Sequence, residues 1–324
     1  MKRVSPSIGF GICWLFGVTL LSAHAQTGKW PEKPVRLIVA SPPGSGDDFA
    51  ARLIAPKLSE LLGQQFVIDN RASATGGLIG QMAALKSPPD GYTFLLAGGS
   101  MAGARFVNLQ ATYDVLRDFT PVSLVEISAF VMVVHPSVPA KNLKEYIALA
   151  RSQPGKMTFG SPGPGQIPLW SALLFNDMAR INAVEVAYKD TGNAIIDVMA
   201  GRIDYYFAPF SAARNRTKLR ALGVTSAKRS PAFADVPTIA EAALPGYEMP
   251  GWRSIMGPGG VRQDIVASLN AAIARALAMP DLREKFQAAG SEPSPSTPDE
   301  LTKRYADWIG RFGKIVKQAG IKPQ

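Results

Sequence analysis

The stretch Val35-Arg36-Leu37-Ile38-Val39-Ala40-Ser41-Pro42-Pro43-Gly44-Ser45-Gly46-Asp47-Asp48, continuing through Phe49 to Leu62-Gly63, decides the fold class. Val35, Leu37, Ile38 and Val39 form a short apolar run of strand character. After the turn, the apolar positions Ala50, Leu53, Ile54, Leu58, Leu61 and Leu62 recur with a period near 3.6 until Gly63 stops them. A strand therefore feeds a glycine-rich loop that opens a helix. The first N–H groups of that helix have no intrahelical partner and carry the positive end of its dipole, and Gly44 and Gly46 allow a ligand close to the main chain. A carboxylate or phosphate suits such a loop. The spacing is neither G-x-G-x-x-G nor a P-loop, and Asp47 and Asp48 would repel a bulky polyanion. An ordinary βα turn, with the two aspartates as helix caps, is the competing reading.

Alternation of this kind continues along the chain. Phe66 to Ile68 reads as a strand, Gly76-Gly77 as a turn, Leu78 to Leu85 as a helix and Tyr92 to Leu96 as a strand. A second series follows Pro121: strands at Val122 to Val125, Phe130 to Val134, Met157 to Phe159, Val184 to Ala187, Tyr205 to Ala208 and Leu219 to Val224. Helices at Leu143 to Arg151, Trp170 to Met178 and Ala194 to Ala200 separate them. The strands are continuous apolar runs without polar alternation, which implies an α/β protein with mostly parallel sheets covered on both faces. Two sheets fit this series better than a single very wide one. Long amphipathic helices are expected at Asp264 to Ala278 and Pro298 to Gln318. Thr297-Pro298-Asp299-Glu300 supplies an N-cap hydroxyl, a first-position proline and a capping-box glutamate. Leu301, Tyr305, Trp308, Ile309, Phe312, Ile315 and Val316 then share one face, which belongs to the core.

The N-terminus has the form of a secretory signal. Lys2 and Arg3 are its charged part, Ile8 to Leu21 its apolar core and Ala23-His24-Ala25 its small-x-small cleavage site, so a mature protein is expected to begin near Gln26, in the periplasm. The apolar run is shorter than the ~20 residues a spanning helix needs. Cys13, the single cysteine, lies within it, so the exported chain has no thiol and no disulfide and depends on its core for stability. The net charge of +10 becomes +8 without Lys2 and Arg3, which favours anionic ligands or surfaces. The basic residues cluster only at Arg214-Asn215-Arg216-Thr217-Lys218-Leu219-Arg220 and Lys228-Arg229, with no aromatic ladder between them, so a solvated face fits better than nucleic acid.

Catalytic groupings are sparse. His135 is the only histidine left after processing; it precedes Pro136 at the end of an apolar strand, and a structural role suits it better than catalysis. One imidazole and no thiol make a poor zinc site. No metal, cofactor or catalytic residue is assigned. The loop Phe159-Gly160-Ser161-Pro162-Gly163-Pro164-Gly165-Gln166 again follows a strand and precedes a helix, repeating the logic of the first loop in the second α/β series. One such loop per domain implies a cleft that closes on a small anion; two unrelated tight turns are the alternative.

With these loops in place, the order of motifs resembles the Bug receptors, the periplasmic substrate-binding proteins of tripartite tricarboxylate transporters. The residues carrying the resemblance are Trp30-Pro31-Glu32-Lys33-Pro34-Val35-Arg36-Leu37-Ile38-Val39 with Pro42 to Asp48, Asp69-Asn70-Arg71, Pro89-Asp90-Gly91-Tyr92-Thr93 and Asp118-Phe119-Thr120-Pro121-Val122. Pro154 to Ser161, Leu219 to Ser230 and Asp235-Val236-Pro237-Thr238-Ile239-Ala240-Glu241 extend it over the whole mature chain. The resemblance implies a two-domain, type II-like Venus flytrap. Residues 26–125 plus 229–324 would form domain 1 and residues 126–228 domain 2. It also implies a monomer that holds a small carboxylate, partly through ordered water, for a membrane permease of the tripartite tricarboxylate type. Ligand contacts carried over from it are Gly44, Ser45, Gly46 and Asp48 in the first loop and Ser100 after the third strand. Ser161, Gly163, Gly165 and Gln166 follow in the second loop, and Tyr188 and Thr191 beyond it.

Departures from the family pattern concentrate in the second domain. Asp190 stands where glycine is usual. Gln166-Ile167-Pro168-Leu169-Trp170 replaces a run of hydroxyls and a histidine, and Phe207-Ala208-Pro209-Phe210 replaces Phe-Asp-Asn. Fewer polar groups would then face the cleft, which suits a monocarboxylate or aromatic carboxylate better than a citrate-like polyacid. Trp170, Phe207 or Phe210 would pack against its apolar body, unless these side chains face the domain core. A periplasmic hydrolase or isomerase on the same fold, and a ligand-presenting sensor component, are the other functions in view; poverty in His and Cys favours a receptor.

Overall fold

A computed structural model describes Met1 and residues 30–323, apart from 74–75, 164, 189 and 214–217. The signal segment expected at 1–25 thus lies, beyond Met1, outside the described residues. Strands β1 (Val35–Val39), β2 (Phe66–Asn70), β3 (Thr93–Gly98), β4 (Phe119–Ser128), β10 (Gly251–Pro258) and β11 (Ser291–Pro293) form a six-stranded sheet in the order β11-β4-β10-β3-β1-β2. Strands β5 (Phe130–Val134), β6 (Thr158–Ser161), β7 (Val184–Ala187), β8 (Tyr205–Pro209) and β9 (Arg220–Val224) form a five-stranded sheet in the order β7-β6-β8-β5-β9.

Both sheets are mostly parallel in strand direction, as their apolar runs imply. In the first, β1 pairs parallel with β2 and β3, while β10 runs antiparallel between β3 and β4, and β11 pairs antiparallel with β4. In the second, only β5 is reversed, lying antiparallel to both β8 and β9. Of the reversed strands, β5 and β10 begin where the chain enters one sheet from the other, while β11 is added at the edge of the first. β4 leads into β5 through Ala129, and β10 brings the chain back to the first sheet after β9. Two crossings therefore join the sheets.

Local sequence accounts for most elements. Val35, Leu37, Ile38 and Val39 are fully buried in an interior strand of the first sheet, between β3 and β2. Helix Gly46–Leu62 starts at the N-cap Ser45, whose hydroxyl accepts the Asp48 N–H, and ends at Gly63 in the left-handed region at φ 74°. Helix Pro298–Ala319 has the expected capping box: the Thr297 hydroxyl accepts the Glu300 N–H and the Glu300 carboxylate accepts the Thr297 N–H. Its buried face carries Leu301, Tyr305, Trp308, Phe312 and Ile315.

That terminal helix spans both sheets. Trp308 and Tyr305 pack edge-on against Trp252 of β10, at ring-centre distances of 5.4 and 4.8 Å, while Phe312 meets Trp170 of helix Ile167–Ala179 at 4.3 Å. Trp170 therefore lies in a hydrophobic cluster that runs from Ile38 and Leu95 of the first sheet to Met132 and Phe159 of the second. The aromatic stripe read from the sequence is core, and it ties the two halves together.

Candidate ligand cleft between the sheets

Gly44, Ser45 and Gly46 leave the C-terminal end of β1 beside the end of β4 and the beginning of β10. Across from them, Pro209 and Phe210 leave the C-terminal end of β8. Carboxyl ends of strands where the chain changes direction are the places at which α/β sheets bind ligands. A cavity of about 550 Å³ opens there, and its wall draws on both sheets. The first sheet and its helices contribute Gly44, Ser45, Gly46, Phe49, Glu126 and Arg253. Phe130, Pro209, Phe210 and Ser211 come from the second.

The first loop is fixed from within. Asp48 is 3% exposed, and its carboxylate accepts the Gly44 N–H at 2.9 Å, Arg52 Nε at 2.8 Å and Asn70 Nδ2 at 3.0 Å. The Arg52 bond above all, aided by those from Gly44 and Asn70, holds its carboxyl below the usual carboxylate range against the opposing effect of burial. Asp48 is thus turned into the loop and does not line the cavity. Asp47 points the other way. It accepts from Ser41 Oγ and from Arg253 Nε. Gly46 and Asp47 are the first two helical residues, so their N–H groups have no acceptor within the helix, and Gly46 lies against Arg253 Nη2.

Arg253 lies between two carboxylates, with Nε on Asp47 and Nη1 on Glu126. Its side chain is 20% exposed and that of Glu126 only 2%. Neither Arg253 nor Glu126 was legible as a site residue. β10 reads Gly251-Trp252-Arg253-Ser254-Ile255-Met256-Gly257-Pro258, with a glycine near each end and no periodicity, and only its insertion between β3 and β4 carries Arg253 to the cavity mouth.

The remaining expected residues divide by position. Phe210 is on the wall; it packs edge-on against Phe233 at 5.0 Å, and Gly290 lies against its ring, leaving no room for a Cβ. Phe207 is not on the wall. It is 1% exposed, stacked on Tyr247 and edge-on to Phe175, on the face of β8 that it shares with the buried Tyr205. Trp170, fully buried against Phe312, is likewise core. The cavity's aromatic wall is instead Phe49, Phe130 and Phe210.

The second loop stands apart from this cavity. Ser161 is fully buried, its hydroxyl accepting the Gly163 N–H at 3.1 Å and its carbonyl the Tyr188 N–H at 2.7 Å, so its side chain shapes the turn. Gly163 and Gly165 have positive φ, 100° and 79°, and a Cβ at Gly165 would sit 3.8 Å from Gly76 Cα. That proximity brings the second loop to the Gly76-Gly77 turn of the first sheet. Gln166 is exposed at the N-cap and makes no side-chain cap bond. Tyr188 donates its hydroxyl to Asp197 at 2.7 Å and is pushed up to about 12 by burial first and by Asp197 second. Thr191 opens the helix Thr191–Met199 under an Asp190 cap, and Ser100 is half-buried in the turn after β3. None of these seven lines the 550 Å³ cavity.

His135 makes a local turn, its Nδ1 2.7 Å from the Ser137 hydroxyl, beside a smaller pocket of about 210 Å³ between Val138, Met157 and Ile203. Among the described residues no three His, Cys, Asp or Glu side chains come together in a way that could hold a metal ion.

The comparisons with known proteins agree with this architecture. The model of the tripartite tricarboxylate transporter family receptor matches residues 50–321. BugT of Bordetella pertussis is 34% identical over 307 residues, covering 93% of this chain and 94% of that protein. An R. palustris protein solved with adipate superposes with a TM-score of 0.80 at 35% identity, covering 91% of this chain and 100% of the other. MatC from Rhodopseudomonas palustris, solved with bound malate, gives 0.76 at 28% identity over 89% of this chain and 100% of that one. Two α/β sheets joined by two crossings, with a cleft at their strand ends and a family match over most of the length, place this chain in the tripartite tricarboxylate transporter receptor family, the Bug group of periplasmic solute-binding proteins.

Proposed function

We propose that the protein is a solute-binding receptor that captures a small carboxylate between its two sheets and delivers it to a membrane permease of the tripartite tricarboxylate type. The two domains would be residues 26–125 plus 229–324 and residues 126–228, moving about the crossings at Ala129 and before Gly251. The observation that carries this reading is the cavity itself. The Gly46 N–H at the helix start, the Arg253 guanidinium and Phe49 line it from the first sheet's side, and Phe130, Pro209 and Phe210 line it from the second. An anion at the helix start meets unpaired donors and a favourable dipole, while the aromatic wall desolvates whatever carries the charge. Relatives solved with adipate and with malate support a carboxylate as the ligand class.

Within that class we favour a carboxylate with an apolar body, aromatic or long-chain, over a citrate-like polyacid. Ser161, Gly163, Gly165 and Gln166 of the second loop, with Tyr188, Thr191 and Ser100, would contact the ligand when the sheets close. Calorimetric titration with benzoate, terephthalate, nicotinate, adipate, glutamate and citrate tests both levels. Saturable binding without turnover supports a receptor, and chemical conversion of a bound compound would make it an enzyme instead. Binding of citrate alone would remove the apolar-body reading while leaving the receptor intact.

A further inference from the structure

Arg253 has more hydrogen-bonding capacity than the protein uses. A guanidinium carries five N–H donors and stays charged at any physiological pH. Nε is committed to Asp47 and Nη1 to Glu126, and Nη2 has no partner among the described residues. Nη2 is also the atom nearest the place a Cβ would occupy at Gly46, so the absent side chain is what lets the guanidinium lie against the loop. The free edge of the arginine and the N–H of Gly46 are thereby on one wall of the same cavity.

The two carboxylates have a second effect. One guanidinium facing Asp47 and Glu126 leaves a formal charge of −1 in a group that is mostly removed from water. In such surroundings charges act on each other more strongly than in solvent. One incoming carboxylate gains directional bonds from Nη2 and the loop, but a second negative group held close by meets the surplus. The other cation on the wall, Lys285, is exposed and therefore screened.

We propose that Arg253 is the ionic anchor for the ligand carboxylate in this chain, and that Glu126, positioning it from behind, acts as a charge filter that favours singly charged ligands with an apolar body. This rests on the reading of the cavity as the carboxylate site.

The test is calorimetric titration of benzoate, adipate and citrate into the wild-type protein, Glu126→Gln, Arg253→Lys, and the double variant Glu126→Gln with Arg253→Gln, at about 20 and about 200 mM salt. The double variant replaces the Arg253–Glu126 ion pair by two amides of similar length, so the buried Glu126 carboxylate is not left unpaired, and Asp47, 21% exposed, keeps its bond from the Ser41 hydroxyl. Arg253→Lys keeps the charge and loses the free Nη2 donor. The wild type is expected to bind benzoate most tightly. Benzoate affinity is expected to fall about ten-fold or more in the double variant, with loss of salt dependence, and several-fold in Arg253→Lys. Glu126→Gln is expected to raise affinity for adipate and citrate relative to benzoate by several-fold. Unchanged benzoate binding in Arg253→Lys and in whichever of the variants folds would overturn the anchor. Unchanged selectivity in Glu126→Gln, or a wild type that prefers citrate, would overturn the filter. A wild type that binds none of the three refutes the carboxylate reading as well, whereas loss of the inference alone leaves wild-type binding in place.

Discussion

Replacing Asp48 with alanine tests whether the first loop is held by its own buried carboxylate. Three donors converge on that group, from Gly44, Asn70 and Arg52. They are not worth the same. The Arg52 side chain is 58% exposed, so its ion pair contributes little net stability, of the order of half a kcal/mol. The bonds from Gly44 and Asn70 reach a charged acceptor that is 4% exposed, and each is worth ~1.5 kcal/mol at the low end for charged hydrogen bonds, since Gly44 itself can rehydrate. With the carboxylate's favourable place in the first helical turn, the sum comes to about 4 kcal/mol. For a protein of this size that is a melting-point loss of roughly 6 °C or more. Thermal denaturation should show it, and carboxylate affinity should fall with it because Gly44 and Gly46 lose their fixed positions. Asp48→Asn keeps acceptor capacity for one donor and is expected to lose about half as much. The pH dependence gives an independent check. Asp48 has a folded pKa held below its unfolded value, so its contribution is fully present above pH ~4 and is lost as pH falls through the folded value. The gap between wild type and Asp48→Ala should therefore be constant through neutral pH and close only under acid. An alanine variant that melts within about 1 °C of wild type and binds ligand equally well would refute the latch.

Other substitutions separate the site from the core. Gly46→Ala pushes a methyl group into the Arg253 guanidinium, so it should weaken carboxylate binding by an order of magnitude or more while lowering stability little, as titration and melting together would show. Trp170→Ala removes a fully buried ring packed on Phe312 and should cost about 3–5 kcal/mol in urea denaturation, leaving the ligand affinity of the folded protein nearly unchanged. A large affinity loss there would return Trp170 to the cleft. Asp118, drawn down to about 2 by its bond to Arg117 and by the Asp114 N–H, supports the short turn before β4. Its contribution is present above about pH 4 and lost toward pH 2, so Asp118→Asn should flatten the acid limb of the stability curve in that window and nowhere else.

What the sequence discloses about this molecule follows the range of the interactions that form it. The first βα unit, and the capping box and buried stripe of the terminal helix, depend on residues within a few positions of one another, and each is where local pattern puts it. β10 escapes that logic. Its residues have no alternation and two glycines, and they become a strand because β3 and β4, both far upstream, leave a gap between them. Everything that β10 carries is illegible for the same reason, above all the placement of Arg253 between Asp47 and Glu126, residues 206 and 127 positions away. The aromatic residues fail differently. Sequence marks Phe207 and Phe210 as neighbours in a polar-poor segment, but a strand turns successive side chains to opposite faces and then ends. Phe207 accordingly packs inward on Tyr247, while Phe210, just past the end of β8, reaches the cavity. Sequence names both rings without separating them, because strand register and strand end, set by pairing with β5, decide which one lines the cavity.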